Sequence, residues 1–221
     1  MPAPTFDNAS IAESFTAASS LTFSHVVSGT ERFLVVFVGI RELGTPAVTV
    51  SSITYNGTNL TQACTVEDAT ASQSIRGDAW YLQSPDTGTH DVVITLSGTS
   101  ELDLHGIAVS LNAVGSSGFK TSTTKQGLSA TNIFDSSIDA SMNDMVLDFA
   151  LPQGGAASWT YGSGQTENES NAVCASSRKI GTGNPTTSSI TGTGVGDFWL
   201  SLAVAVKGKP ESGAFLLNFL T

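Results

Sequence analysis

Charge is what this chain has least of. Asp, Glu, Lys and Arg make up 13% of its 221 residues, against about 25% in an average soluble domain. Basic residues number 9 and acidic residues 19, a formal net charge of −10. Docking on nucleic acid or on an anionic membrane needs a clustered basic footprint. Scattered lysines such as Lys120 and Lys125 do not make one, so neither partner is expected. No apolar run approaches the roughly 20 residues of a membrane-spanning helix. The opening "MPAPTFDNAS" lacks the basic, apolar and small-residue regions of a secretory signal. Cysteine is scarce too: Cys64 and Cys174 lie far apart, with no metal-ligand spacing around them. In a chain that starts life in a reducing cytoplasm, both thiols are expected to be free and mostly buried.

What is present in quantity is Ser, Thr, Gly and Ala, on a background of 40% hydrophobic residues. Few charges and many hydroxyls suit short strands with polar outer faces better than helices laced with Glu and Lys pairs. The length allows one large β domain or two small ones.

The hydrophobic pattern agrees. "FLVVFV" (33–38) is a continuous apolar run, the signature of a central strand buried on both faces. Val48 and Val50 alternate, the phase shifts near Ser51–Ser52, and Ile53 and Tyr55 lead into Asn56–Gly57. Asn-Gly between β-prone flanks predicts a tight hairpin, because both central residues of a type I′ turn need positive φ. A strand through Trp80 and Leu82, the turn "SPDTG", and Val92, Ile94 and Leu96 on one face repeat the scheme. In "LDLHGIAVSLNAV" the phase changes at Gly106, which predicts a bulge there. "MVLDFAL" and "DFWLSLAVAVK" predict two more strands, and the polar "YGSGQTENESN" (161–171) predicts a long loop.

The two halves echo one another: "FLVVFVGI" with "MVLDFALP", "SITYNGT" with "SWTYGSG", "VVITLSGT" with "SSITGTGV", and "HGIAVSLNAV" with "FWLSLAVAVK". Spacing of this kind hints at two similar strand sets packed as a double-sheet sandwich. The expected fold is all-β, a jelly-roll-like antiparallel sandwich with a short C-terminal arm. One β-sandwich domain is expected over 1–208. In 209–221, Pro210 and Gly213 make a linker to an apolar arm of Phe215, Leu216, Leu217, Phe219 and Leu220.

Chemistry is hard to find in this sequence. His25, His90 and His105 come without a nucleophile motif and read as surface or strand histidines. Glu101, Asp103 and His105 alternate, so in an extended strand they would share a face able to gather a cation; a solvated strand face explains the same spacing. An acidic stretch such as "TENES" offers calcium a similar opening. Trp80, Trp159 and Tyr161 are the candidates for glycan contact, against a bland reading as core residues. No cofactor, metal or catalytic residue is assigned, and no enzymatic activity is expected.

The succession "SLTFSHVVSGTERFLVVFVGI", "VSSITYNGTNL", "AWYLQSPDTGTHDVVITLSG" and "GIAVSLNAV" resembles a jelly-roll-like β-sandwich module of tailed-phage virion proteins and bacterial surface proteins, over residues 20–115. The resemblance implies a module for display or attachment and carries no catalytic residues. The reading it leads to is a phage virion structural protein, a capsid decoration or an accessory tail or fibre protein. Its expected partners are major capsid or tail subunits, with the chain as a homo-oligomer, a trimer or a lattice subunit. Exposed in a free monomer, the arm of Phe215, Leu216, Leu217, Phe219 and Leu220 would be buried across such an interface. The competing reading is a carbohydrate-binding or host-surface adhesion module; a glycan depolymerase is the third.

Overall fold

The computed structural model describes residues 2–44, 48–69, 73–128, 133–154, 156, 158–193 and 198–209. In chain order the first half runs β1 (Thr5–Ser14), β2 (Ala18–Val27), β3 (Phe33–Leu43), β4 (Val50–Tyr55), β5 (Thr58–Asn59), β6 (Thr61–Ala69), β7 (Gln73–Gln83), β8 (Gly88–Ser100) and β9 (Asp103–Asn112). The second runs β10 (Val114–Leu128), β11 (Ile133–Ile138), β12 (Met145–Pro152), β13 (Ser158–Tyr161), β14 (Gln165–Ser170), β15 (Ala175–Ile180), β16 (Thr186–Thr193) and β17 (Phe198–Gly208). The protein is all-β, with no helix among the described residues.

Four antiparallel sheets lie in four layers. Inner sheet 1 has the order β1-β9-β3-β7-β6 and outer sheet 1 the order β2-β8-β4-β5. Inner sheet 2 has the order β10-β17-β12-β15-β14 and outer sheet 2 the order β11-β16-β13. In each half the chain crosses back and forth between its two sheets, which is jelly-roll topology with one added edge strand (β6, β14) on the inner sheet. Mapping β10 onto β1, β12 onto β3, β14 onto β6, β15 onto β7 and β17 onto β9 makes the two inner orders identical. The echo in the sequence is therefore a repeat of the fold, and each strand set builds its own two-sheet sandwich.

The repeat extends to irregularities that composition alone would not reproduce. β1 carries a bulge between Phe6 and Asn8 opposite Leu111 and Ser110; β10 carries one between Phe119 and Thr121 opposite Val206 and Ala205. β6 bulges between Gln62 and Cys64, and β14 between Glu167 and Glu169, each opposite matching positions of its neighbour. Bulges re-aim the extra residue. Asp7 and Lys120, the two extra residues, both reach the loop that follows the next strand: Asp7 accepts from the Ser28 amide at 2.9 Å, and Lys120 meets Asp144 at 2.9 Å.

The inner sheets pack face to face. Phe33, Val35 and Phe37 of β3 with Ile107, Val109 and Leu111 of β9 meet Leu147, Phe149 and Leu151 of β12 and Leu200, Leu202 and Val204 of β17. Burying each such side chain stabilises by roughly 1.5–3 kcal/mol. Phe37 and Phe149, which occupy equivalent positions, stack at 5.5 Å with an interplanar angle of 8°. β6 lies over β10 and β1 over β14, so each half offers the other the same pair of edges. This is the reciprocal geometry of a two-fold interface, built here within one chain. Two contacts repeat across it: Tyr81 stacks on Phe119 at 4.6 Å, and at the equivalent positions the Arg178 guanidinium lies 3.9 Å above Phe6.

The central strands of the inner sheets are buried on both faces, which accounts for the continuous apolar run of β3: Leu34, Val36 and Val38 point the other way, into the core shared with outer sheet 1. It also corrects the expected bulge at Gly106. β9 pairs with β1 and β3 without a register shift there. Its phase changes because Leu104 and Ala108 face outer sheet 1 while Ile107 and Val109 face inner sheet 2. Gly106 is a close approach: a Cβ would stand 2.8 Å from Ile94 and 2.9 Å from Phe23.

The hairpin at Asn56–Gly57 forms as expected, with φ of 48° and 75°, and the shift near Ser51 is a true register change between Val50 and Ser52. The stretch 161–171, expected as a loop, contains β14 instead; its polar residues suit an edge strand with one solvated side. His90, read as a surface or strand histidine, lies on β8. The arm residues Phe215, Leu216, Leu217, Phe219 and Leu220 lie outside the described residues.

Candidate functional site

Between the two sandwiches runs a seam, and its polar groups gather near the C-terminal end of β3. Arg41 donates through Nε and Nη2 to the Asp103 carboxylate, 2.7 Å at the closer Nε contact, and through Nη1 to the Gln153 carbonyl at 2.6 Å. Asp103 also meets His105 Nε2 at 3.0 Å. On the far side of the imidazole, Nδ1 lies 3.3 Å from Asn171 Nδ2 and 3.8 Å from Glu13. Asn171 in turn bonds Glu13 and accepts the Val173 and Cys174 amides at 2.8 Å each. Burial would raise the Asp103 carboxyl; hydrogen bonds from His105 and Arg41 outweigh it and hold it below the ordinary carboxylate range.

The chemical capacity of this cluster is narrow. His105 is fully buried, and two of the three Arg41 nitrogens are committed to Asp103. The cluster carries strands of the first half to the β12 end and the β14–β15 turn of the second, which is a clamp across the seam. Glu101 stands before β9, so the alternating Glu101, Asp103 and His105 do not form one open face: Asp103 and His105 turn inward to Arg41. Among the described residues no three His, Cys, Asp or Glu side chains group as metal ligands. The reason is visible in the pairing, since the carboxylate that spacing offered to a cation is held by a guanidinium.

His25 lies in the first sandwich with Nδ1 3.0 Å from Ser10 Oγ, and burial pushes its pKa down to about 4, only partly offset by Asp7. In the second sandwich Asp148 is buried and accepts from the Ser177 amide at 2.9 Å, the Ser177 hydroxyl at 2.6 Å and Gln165 Nε2 at 3.0 Å. Its pKa is raised, burial outweighing these bonds. Both cysteines are free; burial raises Cys64 to about 11 and pushes Cys174 further up. Neither thiol has the depressed pKa of a reactive one.

Of the three glycan candidates, Trp80 lies apart from Trp159 and Tyr161. Trp80, half-buried, packs on the core between the first two sheets. Trp159 and Tyr161, two apart on β13, pack inward against Phe134 and Trp199 of the second sandwich, and Trp159 Nε1 donates to the Asn171 carbonyl at 2.7 Å. A different aromatic pair, Tyr81 and Phe119, face each other because β7 and β10 meet across the seam, a juxtaposition that spacing along the chain does not show. Neither the protein-family models, nor the curated proteins, nor the solved structures compared with this chain match it.

Proposed function

We propose that this protein is a virion structural protein that attaches to neighbouring particle subunits, as a capsid decoration or as an accessory tail or fibre protein. It acts by binding, and its apolar segment 215–220 is the attachment arm. The observation that carries this reading is the anchoring of the arm's root. Lys209 donates its amide to the Ala113 carbonyl at 2.9 Å and pairs with Glu31 at 2.5 Å, and Gly208 packs against the Pro2 backbone. An arm that leaves a rigid four-layer body from a pinned point loses less freedom on docking than one on a loose tail. Hydroxyl-rich, weakly charged outer faces fit a protein displayed on a particle.

Two measurements test it. Immunogold electron microscopy of particles from the source culture, with antibody against residues 1–209, is expected to label heads or tails; unlabelled particles would overturn the proposal. Truncation after Lys209 is expected to leave the thermal midpoint in place and abolish particle binding. A truncated monomer that melts well below the full chain would make the segment part of its own fold instead.

A further inference from the structure

We propose that the cleft beside the Tyr81–Phe119 stack binds a single neutral pyranose residue of a glycan. The cleft encloses about 240 Å³ and is lined by Tyr81, Gln83, Ser116, Ser117, Gly118 and Phe119, smaller than the roughly 300–1,000 Å³ of drug-sized sites. One sugar ring is the size of occupant it suits.

Its walls have the two chemistries a pyranose needs. Phe33, Tyr81 and Phe119 form a column of parallel rings, at 5.5 Å between the first two and 4.6 Å between the last two. Phe33 is fully buried, whereas Tyr81 and Phe119 are half-buried and reach the cleft, and Phe119 is the last ring of the column. The C–H face of a sugar ring continues such a column as a further aromatic ring would. Around it Ser116 and Ser117 present exposed hydroxyls. The wall is pre-formed: Gln83 accepts the Gly118 amide at 2.9 Å and donates to the Gly115 carbonyl at 3.1 Å, fixing the segment that carries both serines. Among the described residues no charged side chain lines the cleft, and a net charge of −10 disfavours anionic sugars, so the ligand class is a neutral hexose or N-acetylhexosamine.

The fold supplies its own control. At the related edge the same backbone positions carry Arg178 over Phe6; there a guanidinium takes the place of the Tyr81 ring. The duplicated seam thus has three stacked rings at one edge and a ring beneath a guanidinium at the other.

The test is saturation-transfer NMR on the full chain with the methyl glycosides of glucose, galactose, mannose and N-acetylglucosamine as probes. At least one is expected to receive transfer at millimolar concentration. Phe119→Ala is expected to weaken that ligand about tenfold, the worth of one ring contact, and Phe119→Trp to restore it. Ser116→Ala with Ser117→Ala, at exposed positions, is expected to weaken it without moving the thermal midpoint, and Phe6→Ala to leave it unchanged. Transfer to none of the four sugars overturns the proposal, as does a binding strength that Phe119→Ala leaves unchanged. Transfer that appears only after truncation at Lys209 also overturns it, because the chain's own C-terminal segment would then occupy the cleft. The readout is independent of particle attachment, so either proposal can fail alone.

Discussion

The two halves share a topology, two pairs of bulges and a face-to-face seam, yet their outer sandwiches are filled differently. Between the first inner and outer sheets the core is Leu34, Val36, Val38, Ile53, Tyr55 and Ile94. Between the second pair it is thinner and cut in two. Phe134, Ala150 and Trp199 lie on one side, Ile138, Val146 and Ala203 on the other. On β11, β12 and β17 the residue between the two clusters is Ser136, Asp148 and Ser201, and Ser136 donates to Ser201 at 3.2 Å. Val36 and Asp148 occupy equivalent positions. Strand order therefore does not depend on filling every layer with hydrocarbon. A carboxyl is accommodated where Ser177 and Gln165 bond it, and the shared requirement is the apolar seam.

The sharpest way to break this comparison is to move the carboxyl to the other half. Val36→Asp buries an acid among Leu34, Val38 and Ile94 without the bonds that serve Asp148, and is expected to cost more than about 4 kcal/mol, read as loss of the folded baseline in chemical denaturation. Next in size is the seam. Phe37→Ala and Phe149→Ala are each expected to cost about 3–5 kcal/mol. Their double-mutant cycle should return a coupling of about 0.5–1.5 kcal/mol, and strict additivity would show that the stack holds nothing together.

A third contrast is titration. His25 occupies the first sandwich at the position taken by Ser136 in the second. Folded His25 binds its proton more weakly than the unfolded chain does, with a pKa of about 4 against 6.5. The stability it supports is complete above about pH 6.5 and drains away as pH falls towards 4, by about 3 kcal/mol. Denaturation midpoints measured across that window should slope, and His25→Asn should flatten them; an unchanged slope assigns the effect elsewhere. The smallest effect belongs to Lys125 and Asp135, a half-exposed pair. Lys125→Ala should change stability by less than about 1 kcal/mol, a shift in thermal midpoint near the limit of measurement.

Much of this architecture was legible in residues 33–38, in Asn56–Gly57 and in the repeated strands, because two-sided burial and positive φ leave local marks. The echo between β9 and β17 was readable only approximately: strand pairing makes Ile107 equivalent to Leu202, two residues from the match that the letters suggest. Apolar strands of similar composition look alike at several offsets. What could not be read was anything that depends on one sheet meeting another. The alternation of Asp103 and His105 is open to a cation or to a solvated face, and neither reading shows Arg41, distant in sequence, holding the carboxylate. Spacing alone leaves Trp80, Trp159 and Tyr161 open to sugar contact or to a place in the core; their packing against the sandwich cores depends on sheets that meet far along the chain. The pairing of Tyr81 with Phe119 leaves no local mark, because neither lies near the other along the chain.

A two-fold dimer of separate subunits must present each of its features in duplicate, and any ligand it recruits arrives in pairs. Joining both copies in one polypeptide removes that obligation, since a substitution such as Tyr81 opposite Arg178 alters one edge and spares its relative. The molecule so made has a valence of one and a direction. A partner that engages it at the Tyr81–Phe119 edge meets it in a single orientation, with one contact per polypeptide.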